Sequence, residues 1–328
     1  MAFPSTAITR TELGMNYEEF DLEMSRRGFI GARVYRPLMV GVQASDVPLV
    51  PIEQLLQNKA GLTKRAPGAT YRKGDFEWNK WSYATEEYGW EEPLDDRTLN
   101  MYRDLIYAEV IHANRAIDFV LRDFEVQAAA KLYDTAVWTG AALTTTLAVD
   151  WETPATATPQ ADVFAAIEKV KSNCGLRANG MTCTDGTIRD LVQVASIIDL
   201  IKYWGGDDPK TITPSTLAQI FTLDFILVAG MAIKNTAAAG SLTIADIWNE
   251  DYSMVGKFAV SDDPAEPCIG RAPMWTTESA GPGSDGQIAV TVEEYRHEET
   301  RGSRYRARTD YTLNNLTVEC GHLLTNLT

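Results

Sequence analysis

The sequence has few of the features that mark a membrane protein or a metal site. Its longest uninterrupted apolar run, Phe225 to Ile233, has nine residues, whereas a transmembrane helix needs about 20. There are three histidines and four cysteines, with no C-x-x-C spacing, so we expect neither a zinc ribbon nor a redox motif. The sequence therefore predicts no membrane partner, no metal, no cofactor, and reduced cysteines that are mostly buried.

Catalytic motifs are also scarce. The phosphate-binding pattern G-x-x-x-x-G-K-[ST] and the nucleophile pattern G-x-S-x-G do not occur. Residues 281–286 match G-x-G-x-x-G, but Pro282 interrupts the match and a strand-like pattern follows it, so we interpret it as a surface turn. The adjacent acids Glu293 and Glu294 fall on a predicted strand, where neighbours face opposite sides. The sequence favours a protein that is not an enzyme, with no catalytic residues.

Basic residues are outnumbered in this chain of 328 residues, with 30 Lys and Arg against 45 Asp and Glu, which gives a formal charge of −15. A dedicated nucleic-acid binder needs basic patches to displace counterions from phosphate, so this class is disfavoured. Apolar residues make up 45 % of the chain and charged residues 23 %, which is ordinary for a folded globular protein. The length fits two domains, or one core domain with large excursions.

The first part of the chain predicts an arm and a long hairpin. Residues 1–50 show no helix or strand period and are interpreted as an extended arm. Residues 57–75 are polar and cannot bury themselves. Compact domains rarely carry structureless loops beyond about 12–15 residues, so a polar stretch of this length needs a reason outside its own domain. The aromatic residues Trp78, Trp81 and Tyr83 that follow indicate the returning strand of a β-hairpin.

The next segment predicts one long helix. From Asp95 to Trp138 there is neither Pro nor Gly, and apolar residues recur every three or four positions, as on one face of a helix. The acidic pair Asp95 and Asp96 favours a helix start. A helix from Asp96 to Asp134 would be ~58 Å long at ~1.5 Å per residue, so it would form the spine of a flattened or elongated molecule.

The rest of the chain predicts an α/β region followed by strands. Helices are expected over residues 159–174, 188–202, 214–221 and 244–248, and strands over 181–183, 225–229 and 252–260. Later strands are expected over residues 269–277, 287–297, 304–312 and 316–324. These later strands should form one antiparallel sheet that packs on the spine helix, with the middle region inserted between.

Charge clusters are the most informative feature. Five basic residues and no acidic one lie between Lys59 and Lys73, and six acidic residues and no basic one lie between Glu86 and Asp96. They are either two solvated patches or two complementary surfaces on different subunits. Arg304, Arg306 and Arg308 alternate along a predicted strand, so they should share a face and pair with carboxylates.

The order of these elements resembles the major capsid protein of tailed double-stranded DNA bacteriophages. The resemblance rests on the hairpin with Arg65-Ala-Pro-Gly, the helix entry Gly89-Trp-Glu-Glu-Pro-Leu-Asp-Asp, the link Asp150-Trp-Glu, and the ending from Glu293-Glu-Tyr-Arg-His-Glu to Gly321-His-Leu-Leu. Encapsulin shells and the herpesvirus capsid floor have a similar fold.

The resemblance implies an α+β class fold, the tailed-phage major capsid fold. Its parts are a long spine helix, an extended β-hairpin loop, an antiparallel peripheral sheet and an inserted α/β axial domain. The implied divisions are an N-terminal arm (residues 1–50), the extended loop (51–90), a peripheral domain (91–150 and 268–328) and an axial domain (151–267). Inter-subunit contacts are expected at Lys64, Arg65, Arg72, Lys73, Trp78, Trp81, Glu87, Glu91, Glu92, Arg304 and Arg306.

The implied function is that of a structural head protein. It would self-assemble into hexamers and pentamers of an icosahedral shell in the host bacterial cytoplasm and remain in the virion. Packaged DNA would be enclosed and not specifically bound. Only about 50 residues precede the loop, too few for the scaffolding segment that many members carry, so either scaffolding is a separate protein or this chain is already the mature form. We expect a separate scaffolding protein, a portal and possible decoration proteins as partners. The alternatives are an encapsulin-type nanocompartment shell protein or a soluble α/β enzyme.

Overall fold

A computed structural model describes the protein over residues 8–9, 28–49, 51–52, 64–71, 73, 77–102, 108–203, 212–230, 233–237, 241, 243–275 and 288–328. Helix and strand occur in similar amounts, which confirms the α+β class. The G-x-G-x-x-G match at residues 281–286 lies outside the described residues. Among the helices described, none is both long and apolar enough to cross a membrane.

The larger sheet has seven strands and joins the two ends of the chain. Its strands are β1 (Ile8–Thr9), β2 (Arg36–Val40), β5 (Glu86–Asp95), β12 (Gly270–Trp275), β13 (Thr291–His297), β14 (Gly302–Tyr311) and β15 (Asn314–Asn315). Every pairing is antiparallel except that of β2 with β12. Along β14 buried and partly buried residues alternate over most of the strand, the pattern of a sheet with one face on the core.

The spine is helical in two described segments, α2 (Asp96–Tyr102) and α3 (Ala108–Leu132). The predicted start at Asp96 is confirmed, whereas α3 ends at Leu132 and not at Asp134, and residues 103–107 lie outside the described residues. The helix packs on β5 and β14. Its buried residues include Ala113, Ala116, Ile117, Val120, Leu121, Phe124 and Ala128. The predicted stripe therefore faces the sheet, because residues three and four apart share one side of a helix.

A second sheet of five strands forms the core of the middle region. In spatial order its strands are β6 (Thr144–Thr146), β16 (Gly321–Thr325), β11 (Tyr252–Gly256), β7 (Gly180–Thr184) and β8 (Phe225–Ala229). Helices α4 (Pro159–Cys174), α5 (Asp185–Gln193), α6 (Ala195–Tyr203) and α7 (Pro214–Ile220) belong to the same region. The strands expected near residues 181, 225 and 252 are confirmed.

The prediction that the last strand joins the antiparallel sheet of the other late strands is wrong. Gly321–Thr325 does not join the other late strands but lies between β6 and β11. Four consecutive residues of this strand, from Gly321 to Leu324, are buried. Such a continuous buried run is typical of a strand that is covered on both faces, in contrast to the alternation along β14.

Two local predictions need correction. The single helix expected over residues 188–202 is two helices, because Val194 adopts an extended conformation with ψ 124°. The helix expected at residues 244–248 is wrong, since β10 (Ile244–Asp246) pairs with β9 (Ile233–Asn235). Helix α4 has the expected bounds, and Gly175, with φ +71°, follows its last residue.

The hairpin is confirmed, and its first strand lies within residues 1–50, the segment expected to be an extended arm with short pieces of structure. Strand β3 (Ala44–Leu49) pairs antiparallel with β4 (Asn79–Ala84), in register from Ala44 opposite Ala84 to Leu49 opposite Asn79. Alternate residues of β4, Trp81 and Tyr83, form a small buried cluster with Leu38 of β2. The hairpin base therefore has its own core.

The buried carboxylate of Glu125 binds the backbone at the start of the segment 28–49. Glu125 of α3 accepts hydrogen bonds from the backbone N–H groups of Ile30 (2.7 Å) and Gly31 (2.8 Å) and from Nε1 of Trp248 (2.7 Å). Gly31 opens the one-turn helix α1 (Gly31–Val34). Burial raises the pKa of Glu125 to about 7, against the opposing effect of these three hydrogen bonds. One side chain thus ties together the arm, the spine and the middle region.

Candidate subunit-contact surfaces

The arginine row lies on one face of the larger sheet and pairs with carboxylates, as expected. Arg304 contacts Glu91 of β5 at 3.1 Å, and Arg306 and Arg308 contact Glu293 of β13 at 3.5 and 2.9 Å. The register explains these contacts, since β14 lies between β5 and β13. The row is therefore an internal ion-pair ladder across three strands of this chain.

Glu91 is held further by Tyr295, whose hydroxyl donates to its carboxylate. Burial raises the pKa of Glu91, but the hydrogen bonds from Tyr295 and Arg304 outweigh it and leave the pKa below its ordinary value. Sequence reasoning missed Tyr295 and Glu293 as partners. Alternation along a strand shows which residues share a face but does not show which neighbouring strand will supply the opposite charge.

Glu92 lies on the opposite side of β5 and faces the spine helix. Its carboxylate accepts from Nε1 of Trp90 at 2.7 Å and lies 3.3 Å from Nε of Arg115 and 3.9 Å from Nδ1 of His112. Only 7 % of the residue is exposed. Of the two interpretations of the acidic segment, the solvated patch does not hold for this residue, because it is buried between the strand and α3.

The exposed acidic residues lie at the two ends of β5. Glu86, Glu87 and Asp95 are exposed. Glu87 lies directly opposite Asp310 of β14, an arrangement of like charges that destabilises a strand pair. Burial, followed by the nearby charge of Glu87, raises the pKa of Asp310. The Glu86 end of β5 therefore carries excess negative charge.

The basic loop is exposed where the structure describes it. Lys64, Arg65 and Lys73 are exposed, whereas Arg72 lies outside the described residues. Arg65 folds onto its own loop, with its guanidinium 4.6 Å from the ring centroid of Tyr71 and its Nε donating to the carbonyl of Ala69. Within the described ranges, no ion pair is present at Lys64 or Lys73. In the described part of the loop, Lys64, Arg65 and Lys73 therefore present positive charge to solvent.

The two tryptophans of the hairpin have different environments. Trp78 is 60 % exposed, just before β4 begins. Trp81 is 9 % exposed in the cluster with Leu38 and Tyr83. Trp81 therefore stabilises the base of its own hairpin, whereas most of Trp78 faces solvent. No group of three or more potential metal-ligating side chains is present in the described ranges.

Solved structures share this arrangement over nearly the whole chain. A phage-related protein from Bordetella bronchiseptica matches with a TM-score of 0.67 at 17 % identity, covering 98 % of each chain. The capsid of cyanophage P-SCSP1u matches with a TM-score of 0.54 at 10 % identity, covering 99 % of this chain and 89 % of that one. The mature capsid of bacteriophage PhiM1 matches with a TM-score of 0.50 at 12 % identity, covering 90 % and 86 %.

The fold is that of tailed-phage capsid proteins. No protein-family model matches the sequence, and no curated protein matches it either. In this capsid fold α2 and α3 are the spine helix, the hairpin of β3 and β4 is the base of the extended loop, and the seven-stranded sheet is the peripheral sheet. The five-stranded sheet and its helices are the inserted α/β part. Two strands of this sheet, β6 and β16, come from before and after the insertion in the chain.

Proposed function

We propose that this protein is the major capsid protein of a tailed phage and builds a closed shell from hexamers and pentamers. The observation that carries the proposal is the similarity to the P-SCSP1u capsid over 99 % of the chain, together with a hairpin whose basic loop is exposed where it is described. Heterologous contacts repeated around an axis close into rings. The role is structural, and the shell encloses DNA without gripping it, in keeping with the net charge of −15.

The partners belong to the same proposal. The protein assembles with copies of itself in the host bacterial cytoplasm and remains in the virion, with a separate scaffolding protein, a portal and any decoration protein as further partners. We also place residues 144–146 and 321–325 in the axial domain, because their strands complete its sheet. The remaining divisions stay as the resemblance implies them.

Electron microscopy of the purified protein tests the shell function. Large heads, filled with DNA when isolated from phage-producing cells, support the proposal. Shells of roughly 20–30 nm that contain a protein cargo would favour the encapsulin alternative. A stable small oligomer that never forms shells would contradict both.

Within the shell, we propose that the basic loop contacts the acidic end of β5 on a neighbouring subunit. The connection between Leu49 and Asn79 has 29 residues, and half of it, extended at ~3.3 Å per residue, reaches ~45 Å. Glu91 and Glu92 are engaged within their own chain, so the acceptors that fit are the exposed Glu86 and Glu87. Arg304 and Arg306 stabilise the sheet beneath.

A charge reversal tests this contact. Lys64, Arg65 and Lys73 are changed together to Glu, and the matched control reverses three exposed lysines elsewhere, Lys169, Lys171 and Lys202. Each exposed ion pair contributes only about 0–1 kcal/mol and weakens with salt, so folding should be unchanged and assembly lost only in the loop variant.

Adding Glu86→Lys and Glu87→Lys to the loop variant should partly restore assembly, measured by sedimentation at physiological salt. Normal assembly of the loop variant would refute the charge pairing while leaving the shell proposal intact. Equal loss in the control would show that net charge, and not this contact, decides assembly.

A further inference from the structure

A cavity lies where the loop side of the hairpin meets the middle region. Its volume is about 360 Å³, within the range of ~300–1,000 Å³ that is common for small-molecule sites. Its walls come from the loop-side ends of β3 and β4, the last turn of α4, and the segment between β15 and β16. Helix α4 ends there at Cys174. All four cysteines are free and buried, which confirms the burial expected from the sequence.

One side of the cavity is aliphatic. Leu49 is the last residue of β3, Ile52 follows it closely in the chain, and Leu316 comes directly after β15. Leu49 and Leu316 also pack on the small buried cluster of the hairpin base, which holds them in place. This wall suits a hydrocarbon chain, because removing apolar surface from water is favourable.

The opposite side offers hydrogen-bond acceptors and negative charge. The last carbonyl groups of a helix have no partner within the helix and carry a partial negative charge, and the last turn of α4 lines the cavity. In that turn Nδ2 of Asn173 donates to the carbonyl of Ala142 at 2.8 Å, which leaves its Oδ1 as an acceptor. Glu319 adds a carboxylate that makes no ion pair with any described residue.

Positive charge is missing from these walls. Among the described residues, no lysine or arginine lines the cavity, so an anionic ligand would find no opposite charge there. Thr317, another lining residue, has a buried hydroxyl group that makes no hydrogen bond in the described part of the chain. A buried polar group without a partner is unfavourable, and an N–H donor at this wall would supply one. The walls therefore favour a cation that donates hydrogen bonds.

We propose that this cavity binds a primary ammonium group carried on an alkyl chain. The alkyl chain lies on Leu49, Ile52 and Leu316, and the ammonium group faces Glu319 and the end of α4. An ammonium group has three donors and no acceptor, so it complements a wall of acceptors. Free aliphatic amines and lysine side chains both carry this group. The inference does not depend on shell assembly.

Isothermal titration calorimetry of the full-length protein at low salt tests the head group. The probes are pentylamine, pentan-1-ol and pentanoate, which share one chain length and differ in charge. Pentylamine, a cation at pH 7, should bind at least tenfold more tightly than the alcohol or the carboxylate. Methylamine, which lacks the alkyl chain, should also bind at least tenfold more weakly, because it cannot use the aliphatic wall.

A further titration distinguishes the two sources of the ammonium group. Nα-acetyl-lysine methylamide presents the same group as a protein side chain does. If it binds as tightly as pentylamine, the cavity accepts a lysine of another protein molecule. If only pentylamine binds, the ligand is a free amine.

A matched pair of variants tests the carboxylate. Glu319→Gln should weaken pentylamine binding at least tenfold, whereas Glu299→Gln, which changes an exposed glutamate outside the cavity, should leave it unchanged.

Three results would overturn the proposal. They are equal binding of pentylamine and pentanoate, wild-type affinity in Glu319→Gln, or no binding of pentylamine at millimolar concentrations. The comparison of probes on the wild-type protein decides the question even if a variant fails to fold.

Discussion

Replacing Glu125 by Gln should remove a pH dependence of stability that this buried carboxylate creates. Its pKa lies at about 7 in the folded protein, against an ordinary value of 4.5, because burial disfavours the charge more than three N–H donors favour it. Between these two values the unfolded chain releases the proton while the folded chain keeps it. The contribution of Glu125 to the free energy of unfolding is therefore highest below pH 4.5, falls as pH rises to about 7, and is constant above that pH.

The magnitude follows from the width of this window. Each unit of pKa difference corresponds to about 1.4 kcal/mol, so between pH 5 and pH 8 the contribution of Glu125 should fall by about 2 to 3 kcal/mol. Other groups titrate in the same range, and burial lowers the pKa of His322, for example. The informative quantity is therefore the difference between the wild type and the variant.

Urea denaturation at several pH values measures that difference, at concentrations where sedimentation shows unassembled protein. The free energy of unfolding of the wild type minus that of Glu125→Gln should decrease by about 2 to 3 kcal/mol between pH 5 and pH 8. Glu168→Gln changes an exposed glutamate of α4 and should keep the wild-type slope. If Glu125→Gln keeps that slope too, the carboxylate does not titrate in this window and the reasoning is refuted.

Two further predictions compare matched residues. On the spine helix, Ile117 is fully buried and Ile111 is 50 % exposed. In urea denaturation, Ile117→Ala should therefore lower the free energy of unfolding by about 2–5 kcal/mol and Ile111→Ala by less than about 1 kcal/mol. Equal losses would mean that the buried face is misplaced. Gly31→Ala should lower the midpoint temperature of thermal unfolding, because the added Cβ would lie 2.5 Å from Oε2 of Glu125. Gly41→Ala should leave it unchanged, because nothing lies within 4 Å of its Cβ. Similar midpoints for the two variants would show that the contact with Glu125 relaxes freely.

Sequence reasoning succeeded where one local period decides the structure. The spine stripe through Ile117 and Phe124 follows from apolar spacing alone, since any partner surface must meet that side of the helix. The bounds of α4, expected at residues 159–174, were also correct. The short segment at Ile244–Asp246 was mistaken for a helix, because a period cannot be read over so few residues and its pairing with Ile233–Asn235 decided the outcome.

The candidate surfaces were only half predictable. The alternation of arginines on β14 indicated a shared face and carboxylate partners, and both features are present. The acidic segment looked uniform in the sequence, yet Glu91, Glu92 and Glu87 face an arginine, the spine helix and solvent in turn. Strand register and the helix packed on one face assign each carboxylate to its surroundings, and neither is encoded in local composition.

By itself, the sequence determined the helix periods, the strand alternation, the hairpin and the order of elements that a capsid fold requires. Only the tertiary structure decided that Gly321–Thr325 completes the five-stranded sheet and that Glu125 is buried among three donors. The physical reason is the range of the interactions. Periodicity arises between residues a few positions apart, whereas strand order and desolvation depend on segments that lie far apart in the chain.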